Sequence, residues 1–284
     1  MLRKFYIIIL AFWLILLLPS LAQEKLKDNK AISNAIDNKQ YTIADSLLKQ
    51  NIVQFIAARR YDTLLYYIPL KGKLVYKQRG AEKAIAAVYS FIDVIKSYDS
   101  SSKLICTAYQ DAAEFFGKIG QNQEGYNAIK IALGYAMKVA GNNNIVIADC
   151  EYNMGVYAQR LANVSLSGIH HRKALQLRQA SKAPPEAIYQ SNNAIASCYW
   201  YASNYDSATY FYKKAFEVVN GMPDSLSIKK YRLGLIENNI ASVYSMQGNS
   251  SDAINTQQRS IAYYQQFIAK DEDHPKKYAA TAAL

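Results

Sequence analysis

The sequence predicts an all-α chain, an α-solenoid of helical hairpins repeating every 41–45 residues. Three observations carry that expectation. Turn-forming segments alternate in two grades, each interval between them holds an apolar pattern of helical period one helix long, and small residues recur at matching places in successive units. Strand-like alternation is absent from the pattern.

The strong breakers are Gly141-Asn142-Asn143-Asn144, Ala183-Pro184-Pro185 and Gly221-Met222-Pro223-Asp224. Weaker turns lie between them at Gly120-Gln121-Asn122, Ala162-Asn163, Ser203-Asn204 and Gly248-Asn249. The reading is helix, short turn, helix, longer loop. Small residues superpose the units: Ala113, Gly155, Ala196 and Ala241 are separated by 42, 41 and 45 residues. Twelve residues beyond each stand Gly125, Ser167, Ala208 and Ala253, and nineteen beyond stand Ala132, Ala174, Ala215 and Ser260. An earlier unit fits more loosely through Gly72, Ala84 and Phe91. Two helices packed at about 8–10 Å leave no room for a long side chain at their crossing, so these registers mark close approach. Larger apolar neighbours such as Ile195, Tyr199, Tyr205, Tyr212 and Phe216 then fill the flanks.

At the amino terminus Arg3 and Lys4 precede an uncharged apolar run, Tyr6 to Leu18, which Pro19 ends before Ser20-Leu21-Ala22. That order predicts a secretory signal peptide over residues 1–22, cleaved before Gln23. The run is short for a membrane span, which needs about 20 apolar residues, although an uncleaved anchor is the alternative. Residues 23–60 read as capping helices with Tyr41, Ala44, Leu47, Leu48 and Ile52 on one face. About five repeat units follow over 61–270, and residues 271–284 begin a further repeat, so the polypeptide is expected to continue beyond Leu284.

The net charge of +11 falls to +9 once the leader takes Arg3 and Lys4 with it. The cations are scattered, Lys71, Lys73, Lys77 and Arg79 being the closest group. They read as a solvated basic surface, with an acidic partner or an anionic membrane or cell surface as the sharper alternative. Export argues against nucleic acid as a partner. Three cysteines, Cys106, Cys150 and Cys198, cannot all pair within one chain, and their spacing matches no metal knuckle. All three fall in helical segments and read as small core residues.

Segments such as Asn192-Asn193-Ala194-Ile195-Ala196-Ser197-Cys198-Tyr199 and Asn238-Asn239-Ile240-Ala241-Ser242-Val243-Tyr244 resemble tetratricopeptide (TPR) motifs. The period is longer than the usual one of about 34 and is similar to the extended repeats of kinesin light chains. Asp273-His274-Pro275 ahead of a new helix fits that variety, while Ala158 stands where an aromatic residue is usual. The resemblance covers Tyr61 to Leu284 and implies a right-handed solenoid that binds protein or peptide. With the leader and the many tyrosines, 24 in all, the pattern also resembles exported bacterial proteins in which such repeats precede a caspase-like CHAT domain.

No catalytic or cofactor signature emerges, and no cofactor or metal is expected. Adjacent helical positions point about 100° apart, so the His170-His171 pair cannot share one metal and reads as solvated or partly packed. Asp271-Glu272-Asp273-His274 reads as a loop with a helix cap. Asp149 and Glu114 are the acidic residues that a glycan-cleaving helical enzyme could use. The candidate binding stripe runs along Asn193, Ser197, Trp200 and Tyr201, opposite Ile195, Ala196 and Tyr199. Carried to the neighbouring repeats, it becomes Tyr152, Val156, Gln159 and Arg160 on one side and Asn238, Ser242, Ser245 and Met246 on the other. In TPR proteins that stripe lines a peptide-holding groove, as the resemblance implies, and aromatic residues beside Arg and amides suit peptide recognition. The expected role is a non-enzymatic recognition arm of an exported CHAT protein, with a sensor arm of a signalling or transcription regulator as the alternative. A protein or peptide is the expected partner, self-association through the last helix is open, and no membrane contact is expected beyond an uncleaved anchor.

Overall fold

The computed structural model describes residues 29–139, 144–225, 228–270 and 275–283. The proposed leader and Asp271 to His274 lie outside the described residues. Among those described there are helices and turns and no strand. Helix α1 spans 29–37. It is followed by α2 (Tyr41–Ala57), a 3-10 turn (Tyr61–Tyr66), α3 (Tyr67–Tyr98), α4 (Ser102–Lys118) and α5 (Asn122–Val139). Then come α6 (Asn144–Arg160), α7 (Val164–Ala180), α8 (Pro185–Tyr201), α9 (Tyr205–Asn220), α10 (Ile228–Met246), α11 (Ser250–Lys270) and α12 (Lys277–Thr281). The chain forms two compact units, one through Tyr135 and one from Ala136.

One turn recurs. Lys39, Gly80, Gly120, Ala162, Ser203 and Gly248 all have positive φ, between 57° and 80°, at intervals of 41, 40, 42, 41 and 45 residues. A positive φ stops a helix by turning the next peptide away from its axis. An asparagine then caps the following helix: Asn163 Oδ1 accepts from the Leu166 amide at 3.0 Å, and Asn204 Oδ1 from the Ser207 amide at 3.1 Å. Asn249 Oδ1 does the same for the Asp252 amide at 3.3 Å. The series reaches back to Lys39, so α1 and α2 are joined by the turn of the later hairpins. Gly80 breaks α3 with φ 80° and ψ −177°, a conformation essentially reserved for glycine.

In the first unit, Leu64, Ile68, Leu74, Val88, Ile92, Ile95, Ile105 and Phe116 form a fully enclosed core. Phe115 lays its ring on Gly72, where an added Cβ would sit 2.6 Å from a ring carbon. Lys73 donates from α3 back to Ser33 Oγ at 3.0 Å and Asp37 Oδ2 at 2.8 Å, tying α1 to α3. Of the face expected on α2, Ala44 and Leu48 are buried together with Asn51, while Tyr41, Leu47 and Ile52 stay half-buried.

In the second unit α6 packs on α7, α8 on α9 and α10 on α11, and α7–α8 and α9–α10 join successive hairpins. The small-residue registers lie at these crossings, with Ala174, Ala196, Ala208, Ala215, Ser167 and Ser260 at zero exposure. The serines also donate to the facing helix: Ser167 Oγ bonds the Gly155 carbonyl at 2.8 Å and Ser260 Oγ the Gly234 carbonyl at 2.8 Å. The glycines accept rings. A Cβ on Gly155 would meet the His171 imidazole at 2.5–2.8 Å, and one on Gly234 would meet Tyr264 at 3.0 Å. Ala253 is only half-buried, and Thr256 takes the enclosed position one turn on. Tyrosines fill much of the remaining core. Tyr189 and Tyr212 are buried with Leu233, Ile236 and Val243, and Tyr199, Trp200, Tyr205 and Phe216 pack partly buried around them. The three cysteines are buried and form no disulfide.

Buried carboxylates recur too. Glu151 on α6 accepts from His170 Nδ1 at 2.7 Å and pairs with Lys173 Nζ at 2.5 Å. In the equivalent place on α10, Glu237 takes a two-pronged bond from Arg259 at 2.9 and 3.0 Å. Burial pushes the Glu151 carboxyl up, but the bonds from His170 and Lys173 outweigh it and hold the group below its ordinary value. Asn192 holds this register on α8 and bonds its own helix at the Ile188 carbonyl, which leaves Lys214 to pair with Glu217.

The histidine pair departs from the expectation of a solvated or partly packed dipeptide. His170 is engaged by Glu151, and His171 is wholly enclosed with neither ring nitrogen hydrogen-bonded. The reason is the space Gly155 leaves, which the imidazole occupies. Burial, with the charges of His170 and Arg178, lowers the His171 pKa from 6.5 to about 4.

Two expectations follow from this packing. Gly155→Ala should cost about 1–3 kcal/mol in urea unfolding, because the His171 ring has nowhere to retreat. Gly134→Ala, with nothing within 4 Å of the new methyl, should stabilise by up to about 1 kcal/mol. Equal responses would place the crossing elsewhere. The unfolded chain takes up a His171 proton near pH 6.5 and the folded chain only near pH 4. This group's contribution is therefore intact above pH 6.5 and is lost as pH falls toward 4, on the order of 2–3 kcal/mol. His171→Phe should flatten that part of the stability–pH curve, and an unchanged acid limb would show that other groups set it.

Candidate functional site

The first helices of the second unit, α6, α8 and α10, carry the predicted stripe. Its polar members bridge neighbouring repeats: Gln159 Nε2 donates to Ser197 Oγ at 3.1 Å, joining α6 to α8. Asn239 Nδ2 donates to Asn193 Oδ1 at 3.3 Å, joining α10 to α8. The α10 partner is thus Asn239, next to the predicted Asn238. Ser242 turns inward on its own helix and donates to the Asn238 carbonyl at 3.0 Å. Arg160 is exposed and lies over the Tyr157 ring at 5.3 Å. Tyr201 and Met246, both 57% exposed, occupy the same register on the next two first helices. Val156 is half-buried and Ser245 exposed. Trp200 is half-buried, packs against the core and meets Tyr201 edge-on at 5.0 Å, with its indole nitrogen enclosed and unbonded. It braces the core more than it offers an open anchor.

Tyr152 sits deeper. Its ring lies between the Arg178 guanidinium at 4.5 Å and the His171 ring at 5.1 Å. Arg178, 3% exposed, binds Asp149 Oδ1 at 2.8 Å, Ser191 Oγ at 2.8 Å and the Ala187 carbonyl at 2.9 Å. One side chain of α7 therefore fastens α6 to α8, and Asp149 is spent on that bond. Glu114 pairs instead with Lys118 at 2.6 Å on the exposed side of α4. Each carboxylate is thus committed to a cation within its own unit. Among the described residues no cluster of three or more metal-ligating side chains occurs.

Beside Tyr152 and Asn193 opens a pocket of about 340 Å³, walled also by Tyr189, Tyr231, Glu186, Gln190, Arg232 and Lys276. Arg232 pairs with Glu186 at 2.8 Å and lies over the Tyr189 ring at 5.8 Å. Burial raises the Tyr152 and Tyr189 phenols above their ordinary value, so both hydroxyls remain protonated donors. The wall is therefore aromatic rings edged with hydroxyls, amides and one ion pair. Such a surface recognises a ligand carrying both apolar and hydrogen-bonding parts. Glu186, Tyr189 and Gln190 stand seven, four and three residues before Asn193, on the face where the stripe already ran. Continuing the stripe two turns toward the helix start is the signal that would have found them.

No family model matches the sequence, and no curated protein matches it either. Solved structures are similar. BtubC (BKLC) from P. vanneervenii shares 14% identity at a TM-score of 0.64, over 88% of this chain and 94% of that one. A Podospora anserina kinesin-light-chain protein with nearly identical TPR-like repeats shares 11% at 0.56, over 74% and 97%. The apo form of the quorum sensor NprR from B. thuringiensis shares 14% at 0.52, over 90% and 73%. At such identities the likeness is one of fold, and the fold is that of TPR-like helical repeats, hairpin upon hairpin, as the small-residue registers predict.

Proposed function

We propose that this chain is a protein-interaction scaffold that lays an extended peptide across α6, α8 and α10. The observation that carries the reading is the pocket of Tyr152, Tyr189, Tyr231 and Arg232 continuing into the polar row of Asn193, Ser197 and Gln159. An aromatic hollow seats an anchor side chain, and the amides beside it meet the backbone of the same peptide. Interfaces of this kind draw most of their energy from a few Tyr, Trp and Arg contacts. The Arg160, Tyr201 and Met246 register adds exposed side chains at the other end of the stripe.

A peptide selected from a displayed library against residues 23–284 would test the face. Gln190→Ala, Asn193→Ala and Arg160→Ala should each weaken that peptide by about tenfold in calorimetric titration, with circular dichroism unchanged. Trp200→Ala is a poor probe because it also removes core packing. Three variants binding like the parent would move the site off these helices.

The scaffold, in this reading, works outside the cytoplasm as the recognition arm of a longer CHAT-type protein. Support comes from the leader pattern of residues 3–22 and from the long, tyrosine-rich repeats. The exported chain should begin at Gln23 by mass spectrometry, and a product keeping Met1 would speak against cleavage. A sensor arm is the second reading, favoured by the likeness of fold to the quorum sensor NprR. The two differ in what shares the polypeptide: a caspase-like domain with its His and Cys, or a membrane helix leading to a signalling module. Reading the gene past the codon for Leu284 separates them.

A further inference from the structure

The scattered cations of the sequence acquire an order once the repeats are stacked. Arg172 and Lys173 on α7 hold the same two registers as Lys213 and Lys214 on α9, and Arg259 repeats the second of them on α11. All five are exposed. Three residues before Arg172 and Lys213 stand the exposed apolar side chains Ile169 at 54% and Tyr210 at 57%; Ile254, at 59%, is five residues before Arg259 and off that face of α11. Residues three or four apart share a helix face, so α7 and α9 each present an apolar residue beside two basic ones. Acidic residues are few there. Helix α7 has none, Asp206 and Asp252 sit in the first turns of α9 and α11, and only Glu217 stands near the cations, paired to Lys214 at 2.9 Å. Lys173 and Arg259 are balanced from beneath by Glu151 and Glu237. Arg172 and Lys213 have no carboxylate partner among the described residues.

We propose that this exposed face of α7 and α9 rests on an anionic lipid surface. Charge decides the sign of the partner, since unbalanced Lys and Arg in register attract acidic headgroups. The apolar residues decide its kind. Ile169 and Tyr210 gain nothing from a solvated acidic polymer, whereas at a bilayer they enter the interfacial layer while the neighbouring cations stay among the headgroups. The contact is peripheral, because no helix among the described residues is long and apolar enough to cross a membrane. It takes up the anionic-membrane alternative that the basic composition raised, rather than no membrane contact beyond the leader, and what supports it is the exposure of these side chains in matching registers of successive repeats. Peptide binding on α6, α8 and α10 uses other helices, so the two readings stand or fall separately.

The test is co-sedimentation of residues 23–284 with phosphatidylcholine vesicles, with and without phosphatidylglycerol. Binding is expected only to the anionic vesicles and should fade with salt. The triple variant Arg172→Gln, Lys213→Gln, Lys214→Gln should bind on the order of a hundredfold more weakly, at about fivefold per charge. Ile169→Ser with Tyr210→Ser should weaken vesicle binding further while leaving soluble polyglutamate unaffected. All these side chains are exposed, so circular dichroism should be unchanged. A parent chain that ignores anionic vesicles at low salt overturns the proposal, as does a triple variant that binds like the parent. Equal binding of parent and Ile169→Ser, Tyr210→Ser to vesicles and to polyglutamate would make the partner an acidic polymer and overturn it too.

Discussion

Everything in the second unit depends on how closely the two helices of a hairpin can approach. Where the crossing residue is alanine the backbones meet, as at Ala196 and Ala208. Where it is glycine a ring from the partner helix occupies the vacated volume, as His171 does at Gly155 and Tyr264 at Gly234. Interiors are packed to crystal-like density, so a small residue and a large one are two halves of one fit. The serines add direction: Ser167 and Ser260 each tie a hydroxyl to a carbonyl across the crossing, fixing rotation as well as distance.

Close packing creates an electrostatic problem that the repeats solve in the same register. A carboxylate carried inward on a first helix must meet a cation from the second, and Glu151 with His170 and Lys173, then Glu237 with Arg259, do so. Arg178 extends the principle between hairpins, with a carboxylate, a hydroxyl and a carbonyl all spent on one guanidinium. Buried charge without such partners would cost several kcal/mol. His171 is the exception. It stays neutral because burial, with the charges of His170 and Arg178, disfavours its protonated form, so its burial is tolerated at neutral pH and resisted in acid.

Two faces of the hairpins thus take different chemistry. First helices gather aromatic rings, amides and one surface ion pair around a pocket, and second helices expose cations beside isolated apolar residues. Both arise from repetition, since a side chain at one register is copied one repeat further on with the same outlook. A scaffold of this kind can hold one partner on one face and rest its other face on a surface without the two competing.

The helices, their turns and their crossings were legible from sequence, because breakers and small residues act locally or at fixed spacing. Ala162-Asn163 and Ser203-Asn204 show why: a positive-φ residue followed by a capping asparagine is complete within a few residues. Tyr152 and Asn193, on the predicted stripe, line the pocket. Tyr231 and Arg232 line it from outside that stripe, and Trp200 is half-buried against the core, because which part of a face stays open depends on the neighbouring repeat. The sequence by itself determined an all-α repeat with its period and its close crossings. Only the tertiary structure decided that His171 is enclosed, that Arg178 consumes Asp149, that a pocket opens beside Tyr189, and that scattered lysines align. Those features join residues of different helices and different repeats, and no local pattern encodes which of them come within reach.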